Sequence, residues 1–594
     1  MKALITTLNS KYVHTNLAIR YLKAQVEDII DIELKEFTIN TNLNYILKKI
    51  YEQKPDLIIF STYIWNLEET LKISRSLKKI KKDIKILLGG PEVSFEEKDL
   101  FLKNDCIDYI IRGEGEFTFK EFIGAYSKGE SLSNIKGLTY KLDDKIIQNE
   151  DRELIKDLDL IKSPYSNIDK DQYKNKIIYY ETSRGCPFNC EYCLSSTLDG
   201  IRFFSLDRVK SDIKNLINSG VKQIKFIDRT FNIEKNRVLE LLDFLIEIDD
   251  GDINYHLEIA AHVLAKEIIE RLKYARKGLF QFEIGVQSTN EKTLREIGRY
   301  QDFNKLKENV LKIKSYENIH QHLDLIAGLP YENYESFKMS FNDVFNLDVG
   351  HVQLGFLKVL KGTKIKAKEE LHGFLYRDYP TYEILQTKYI KYEELEKLKE
   401  VEEIVEIYWN SKNFNTSLRF VINNLYENNP FLFFDEFSLY FKNKDYFDIS
   451  LGINKLYEIL LDYFESNLLE KFDSKIDYID LFKDLLKFDY MTLGKKNKIP
   501  KIFNKIDVVD YKDLCHKFLK DTNNLEKYLK DKVDVPAKFI IKDVSFETFS
   551  YDILNLKESN YKDIKKEQND ILFIYDLKED IIEKARFYKV ELNY

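Results

Sequence analysis

Residues 182–193 read TSRGCPFNCEYC, and this stretch decides how the rest of the chain is read. It contains Cys186, Cys190 and Cys193, three of the chain's 5 cysteines, spaced C-x-x-x-C-x-x-C. The residues just before it, KIIYYETS, form a short apolar run that reads as a strand, so the cysteines fall in the loop at that strand's C-terminal end. Downstream, QIKFID (223–228), NYHLEIA (254–260), LFQFEIGVQ (279–287), HQHLDLIAGLP (320–330) and HVQLGFLKVL (351–360) repeat the strand pattern. Helical segments separate them, such as LDRVKSDIKNLINSG (206–220), with Ser205 placed as N-cap and Gly220 placed to end the helix. Six strand–helix repeats predict a parallel β/α barrel, partial and open on one side. Such barrels carry their chemistry at the C-terminal ends of the strands, where the cysteines lie.

The N-terminal part alternates in the same way. KALITTL (2–8), DLIIFSTY (56–63), IKILLGG (84–90) and YIIRGEGE (109–116) read as strands or a strand and turn. NLAIRYLKAQVEDI (16–29), NLEETLKISRSLKKIK (66–81) and FTFKEFIGAYSKG (117–129) read as helices between and after them. Short apolar strands with helical crossovers predict a doubly wound parallel sheet over residues 1–130. A polar stretch, 131–172, reads as a linker with small strands, closed by the Ser163-Pro164 turn. The barrel is assigned to 173–375. Beyond it, 376–594 reads as mostly helical with a few strands. ILQTKYIKYEELEKLKEVEEIVEIYWN (384–410), FLFFDEFSLYF (431–441) and INKLYEILLDYFE (453–465) are helical patterns, and 538–594 reads as strands and a helix. The fold class is α/β.

Composition sets outer limits. With 594 residues, the chain exceeds one hydrophobic core and implies three or four domains at about 150 residues each. Basic residues number 92 and acidic 100, and they are interspersed, which argues against a global nucleic-acid footprint. No apolar run reaches the roughly 18 residues of a membrane span. The N-terminus reads as a first strand rather than a signal peptide, so the expected compartment is the cytoplasm. Five cysteines in such a chain do not make a disulfide framework. Cys106 and Cys515 are isolated and read as small buried apolar residues.

The clustered cysteines need a different account. Thiolates are soft ligands that select iron–sulfur clusters, zinc or copper. A structural zinc site takes four ligands, and the next histidine after Cys193 is His256, so no local fourth ligand is evident. A 4Fe-4S cluster normally takes one cysteine per iron. With three cysteines, one iron stays open to bind a substrate or cofactor. His320 and His322 share one face of their strand. They read either as packing and hydrogen bonding or as candidate catalytic residues for substrate or proton transfer.

CPFNCEYC resembles the signature of the radical S-adenosylmethionine (SAM) superfamily, C-x-x-x-C-x-aromatic-C, with Tyr192 in the aromatic slot. The resemblance implies that Cys186, Cys190 and Cys193 ligate a 4Fe-4S cluster whose open iron chelates SAM. One electron then cleaves SAM to methionine and a 5′-deoxyadenosyl radical. It also implies SAM contacts at Tyr192, Asp228, Glu258, Glu283, Gln287 and Gly328. The doubly wound domain ahead of the barrel resembles the cobalamin-binding domain of cobalamin-dependent radical SAM enzymes. ILLGGPEVS and IIRGEGE carry that likeness, which implies cobalamin contacts at Ser61, Thr62, Gly89 and Gly90. The D-x-H-x-x-G motif of many cobalamin domains is absent, and His14 does not fit it, so cobalamin is expected without a protein histidine on cobalt. The whole order resembles cobalamin-binding radical SAM proteins with a C-terminal domain of unknown function.

The resemblance implies a radical SAM enzyme, most simply a methyltransferase with cobalamin as methyl carrier and an external electron donor such as flavodoxin or ferredoxin. Two alternatives stand beside it. One is a cobalamin-free enzyme resembling oxygen-independent coproporphyrinogen oxidase. The other is a non-catalytic cobalamin or redox sensor. A methylthiotransferase would need three further N-terminal cysteines. No membrane or evident nucleic-acid partner is expected.

Overall fold

A computed structural model describes the chain except residues 144, 167, 169–172, 199, 428, 473–475, 497, 507–508, 576–584 and 593–594. The chain divides into two compact units, residues 1–333 with 355–392, and residues 334–354 with 393–594.

In the first unit, seven strands form one sheet: β1 (Lys2–Asn9), β2 (Asp31–Thr38), β3 (Leu57–Ser61), β4 (Lys85–Gly89), β5 (Tyr109–Ile111), β6 (Leu138–Leu142) and β7 (Lys145–Gln148). The order is β2-β1-β3-β4-β5-β6-β7. The first five strands are mutually parallel, and β6 and β7 run antiparallel. Both faces are covered, as a doubly wound sheet requires. Leu4, Ile58, Phe60, Ile86, Leu88 and Ile110 pack on one side, and Ala3, Ile5, Leu57, Ile59, Leu87 and Ile111 on the other. Strand β2 was not among the strands read from sequence. DIELKEFT lies at the sheet edge with only Ile32 and Phe37 buried, so its apolar signal is diluted by charged positions. The sheet also runs past residue 130, because the β6–β7 hairpin extends it. Buried Arg112 ties down the segment after this hairpin, donating to Asn149 O (2.7 Å) and Asp151 Oδ1 (2.7 Å). Residues 167 and 169–172 of the stretch read as a linker lie outside the described residues.

The barrel strands are β8 (Ile177–Tyr180), then a short hairpin of β9 (Ser183–Gly185) and β10 (Ile201–Phe203), then β11 (Gln223–Phe226), β12 (Asn254–Ile259), β13 (Phe280–Gln287), β14 (His320–Ala327) and β15 (His351–Phe356). All six expected barrel strands form, in the sheet order β15-β14-β13-β12-β11-β8. Strands β8 and β11 to β14 pair in parallel, and β8 is left at one edge, so the barrel is partial. Ser205 caps the first crossover helix by accepting from Arg208 N, and Gly220 follows it with φ +80°. The cysteine loop is bracketed by the β9–β10 hairpin. That hairpin demands glycine at 185, where φ is +90° and a Cβ would lie 2.1 Å from Gly200 O. After β15, residues 384–386 form strand β17 (Ile384–Gln386) paired with β16 (Leu375–Tyr376), not the start of a helix; the helix begins at Tyr392. Three-residue alternation is too short for periodicity to separate from a helical turn.

The second unit is mainly helical. The helix Pro430–Asn443 buries Phe431, Phe433, Phe434, Phe437 and Phe441 completely, so its aromatic stripe is core. Strands β18 (Val544–Phe549), β19 (Asn569–Ile574) and β20 (Arg586–Val590) form an antiparallel sheet. A π-helical turn, Val405–Asn410, aims the Asn410 amide at β15, where it accepts from Val352 N (3.1 Å) and donates to Val352 O (2.9 Å). The side chain thus substitutes for a neighbouring strand. No described helix is long and apolar enough to cross a membrane.

Candidate active site

Cys186, Cys190, Tyr192 and Cys193 line one cavity of about 210 Å³ at the C-terminal end of the barrel strands. Glu258 of β12, Glu283, Gly285 and Gln287 of β13, and Asp324 of β14 also line it, with Arg229, Thr230, His262 and Arg299 completing the wall. The cysteine loop is held from three directions. Glu191 N donates to Ile297 O (2.9 Å), Ile365 N donates to Glu191 O (3.0 Å), and Lys368 Nζ pairs with Glu191 (2.7 Å). Gly298 lets the loop approach, since a Cβ there would lie 2.8 Å from Asn189 O.

The thiols sit in distinct surroundings. Cys186 Sγ lies 3.5 Å from Thr230 Oγ1. Arg299 donates to Cys190 Sγ (3.6 Å) and Tyr192 Oη (3.4 Å) through one nitrogen and to Gly285 O through another. Burial pushes the Cys190 thiol up, and the Arg299 guanidinium opposes that shift. Among the described residues, no three His, Cys, Asp or Glu side chains converge as a single-ion site requires. Cluster ligation asks instead for one thiolate per iron, which the loop offers three times.

The wall carries polar atoms without partners. Gln287 Oε1, Asp324 Oδ1 and His262 Nδ1 are buried and accept or donate no hydrogen bond. Gln287 adopts φ +72° at a register shift in β13, an arrangement that turns its amide off the regular alternation. Orphaned buried groups are costly unless a ligand meets them, so the cavity fits a polar occupant such as SAM. Its carboxyl groups are shifted in opposite directions. Burial holds Glu258 above the usual range, helped by Glu283 and opposed by Arg229. Burial likewise holds Asp324 well above that range, reinforced by Glu283 and Glu258. Glu283 is also buried, but His256 and Lys225 outweigh burial and bring it down to about 2.

Several expected contacts are located elsewhere. Asp228 is 1% exposed and off the cavity wall. It accepts from Thr182 N (2.9 Å), Thr182 Oγ1 (2.7 Å) and Ser183 Oγ, fastening the end of the first barrel strand to the second. Gly328 also lies off the wall; its φ is +86° and a Cβ would meet Ile384 Cγ2 at 2.7 Å. His320 and His322 lie on the β14 face that carries Asp324, but not on the wall. His322 Nε2 is 2.9 Å from His320 Nδ1 and 3.0 Å from Gln281 Nε2. Arg299, Arg229, Thr230 and His262 escaped the sequence reading because no motif marks them. Asp324 had a signal, being the next same-face position after His320 and His322.

At the first sheet, the strand order reverses between β1 and β3, the switch point where doubly wound sheets bind ligands. Thr62 Oγ1 donates to Gly89 O (2.7 Å), and Ser61 O accepts from Thr7 Oγ1 (3.0 Å). Gly90 is required by Thr62, whose carbonyl oxygen would lie 2.3 Å from a Cβ at φ +115°. Gly89 has only Ile111 atoms within 4 Å of such a Cβ, at 3.9 Å and beyond, leaving that strand end open to a large ligand. His14 Nδ1 is 2.6 Å from Tyr179 Oη. Glu114 and Glu116 of the GEGE stretch pair with Arg184 (3.4 and 2.5 Å), two residues before Cys186.

Comparison with known proteins agrees with this layout. Residues 3–123 match the B12 binding domain, residues 180–344 the radical SAM superfamily, and residues 370–573 a protein family of unknown function, DUF4080. An uncharacterized methyltransferase of Pyrococcus horikoshii is 28% identical over 357 residues, covering 59% of this chain and 77% of that one. The cobalamin-dependent radical SAM methyltransferase TokK of Streptomyces tokunonensis is 24% identical over 351 residues, covering 55% of this chain and 50% of TokK. In fold, the chain is similar to the cobalamin-dependent SAM radical enzyme OxsB with aqua-cobalamin bound (TM-score 0.55, 16% identity, 82% of this chain and 79% of that one). It is also similar to the radical SAM methyltransferase TsrM of Kitasatospora setae with cobalamin and a [4Fe-4S] cluster (TM-score 0.55, 16% identity, 64% and 78%). The chain is a radical SAM enzyme with a B12-binding domain before its barrel and a DUF4080 region after it, and its cofactors are a 4Fe-4S cluster, SAM and cobalamin.

Proposed function

We propose that this enzyme is a cobalamin-dependent methyltransferase in which Cys186, Cys190 and Cys193 are the protein ligands of the cluster. The observation that carries this reading is a single cavity lined by three thiols together with buried, unpartnered Gln287, Asp324 and His262 atoms. When bound, the cluster and SAM supply a 5′-deoxyadenosyl radical, and cobalamin supplies a methyl carrier. The chain's own residues do the positioning. Arg299 holds the Cys190 thiolate and Tyr192 with N–H donors and keeps the loop against β13 through Gly285 O. Gln287, Asp324 and Glu258 meet polar groups of SAM. Ser61, Thr62, Gly89 and Gly90 stand at the strand ends that receive cobalamin, with His14 already committed to Tyr179 rather than to cobalt. His320 and His322 bond to each other off the wall, which favours the packing reading over a catalytic one.

The B12-binding match over residues 3–123 supports a methyl carrier over a cobalamin-free decarboxylase or a simple sensor. The reducing electron comes from an external donor of the flavodoxin or ferredoxin class. The test is anaerobic reconstitution of the cluster with cobalamin, followed by reduction with SAM present. 5′-Deoxyadenosine that disappears when Cys186, Cys190 and Cys193 are all changed to alanine supports the radical reading. S-adenosylhomocysteine in the same reaction supports methyl transfer. Failure to assemble any 4Fe-4S cluster overturns the assignment of the cysteines.

A further inference from the structure

Glu283 is held in an unusual way. Lys225 Nζ of β11 donates to its Oε2 at 2.7 Å. His256 Nε2 of β12 lies 3.0 Å from the same Oε2, in ion-pair rather than linear hydrogen-bond geometry. Both side chains therefore act on one oxygen. No described group donates to Oε1, although Glu283 lines the cavity. A carboxylate has about four acceptor sites, and two partners on one oxygen leave the other free to accept from a ligand.

We propose that Lys225 and His256 are positioning residues that pin Oε2 of Glu283, so that Oε1 is presented to the cavity as a fixed, charged acceptor for a donor group of bound SAM. This rests on the reading of the cavity as the SAM site. The neighbouring carboxyls are not held in this way: among the described residues no lysine or arginine bonds to Glu258 or Asp324, and burial pushes both above their ordinary values. Glu283 differs from them through its contacts with Lys225 and His256. The groups facing it are Lys225 from β11, His256 and Glu258 from β12, His322 and Asp324 from β14, and Tyr179 from β8; Gln281 is the next same-face residue on its own strand. Of these, Lys225 and His256 lower its proton affinity, against burial.

The sign of the consequence follows. With both partners present, Glu283 stays ionised throughout the neutral and mildly acidic range. Without Lys225, burial is compensated only by His256, and the carboxylate takes up a proton at higher pH. The experiment measures SAM dissociation constants of the reconstituted holoenzyme from about pH 8 down to about pH 5.5, a range that brackets a raised carboxylate. Glu283→Gln is expected to bind about tenfold or more weakly at every pH, the loss of one charged acceptor. Lys225→Met is expected to match the wild type most closely at high pH and to lose affinity progressively on acidification. Lys225→Arg restores the flat profile. Equal iron content in all variants shows that the cluster site is intact. A Lys225→Met profile parallel to the wild type, or undiminished SAM binding by Glu283→Gln, overturns the proposal alone. A wild-type holoenzyme that binds no SAM overturns the SAM-site reading as well.

Discussion

Replacing Asp228 with alanine tests whether this residue anchors the cluster loop or contacts SAM. Its carboxylate is 1% exposed and accepts three bonds from Thr182 and Ser183. Two of the donors are hydroxyls that turn to other acceptors, but the Thr182 N–H is fixed at 2.9 Å and cannot. An unsatisfied buried donor costs about 1–3 kcal/mol, and losing the carboxyl acceptor for the hydroxyls adds to that, for a total of about 3 kcal/mol. Multi-unit chains do not unfold in one step, so the measurement should be local. Amide hydrogen exchange at Thr182 is expected to speed up by about 100-fold, since about 1.4 kcal/mol is a factor of ten. Because Thr182 and Ser183 lead directly into the cysteine loop, iron retention should fall in parallel. Asp228→Asn keeps one acceptor oxygen and should lose less of both, with SAM affinity unchanged in the fraction that retains its cluster. The anchoring argument fails if Asp228→Asn leaves exchange and iron content as in the wild type while weakening SAM binding tenfold. That pattern would return Asp228 to the role of a ligand contact.

Arg299→Met removes the N–H donor and the positive charge beside Cys190, so the cluster is expected to have a more negative reduction potential; an EPR-monitored redox titration with no change would refute this. Glu36→Gln breaks a pair with Arg20 at 2.7 Å, with side chains only 19% and 7% exposed, and should destabilise the first unit by about 3 kcal/mol. Arg20 holds the Glu36 carboxyl below its ordinary value even against burial, so this stability is present above the unfolded value of about 4.3 and is lost as pH falls through the folded one. The urea-midpoint gap between variant and wild type should therefore be full at neutral pH and close below about pH 4. In the second unit, Asp489 accepts from Thr416 N (2.9 Å), Ser417 N (2.8 Å) and Ser417 Oγ (2.7 Å), capping the helix Asn415–Leu425 from a different helix. Asp489→Ala should cost about 3 kcal/mol and release exchange of those two amides, while unaltered protection would count against the cap.

Much of the architecture was legible because it is written in contiguous residues. Both sheets announce themselves as apolar runs separated by amphipathic helices, and the three cysteines with Tyr192 lie within eight residues of one another. Strand β2 was missed where charged side chains at a sheet edge blur the apolar run, and Ile384–Gln386 was misread where three residues carry no usable period. Within the site, Glu258, Glu283 and Gln287 could be picked out as polar residues near strand ends, but not what state or partner each would have.

The sequence by itself determined the cluster motif, the barrel that places it and the doubly wound domain ahead of it, because thiol spacing and hydrophobic alternation are local properties of the chain. Tertiary structure alone decided which side chains meet. Arg299 reaches Cys190 across 109 residues, Lys225 reaches Glu283 across 58, and Asp228 closes on Thr182 across 46. No local rule specifies such pairings. They arise when parallel strands align in register and the loops at their ends converge, and that convergence lowers Glu283 through Lys225 and His256 while burial raises Glu258 and Asp324 beside it.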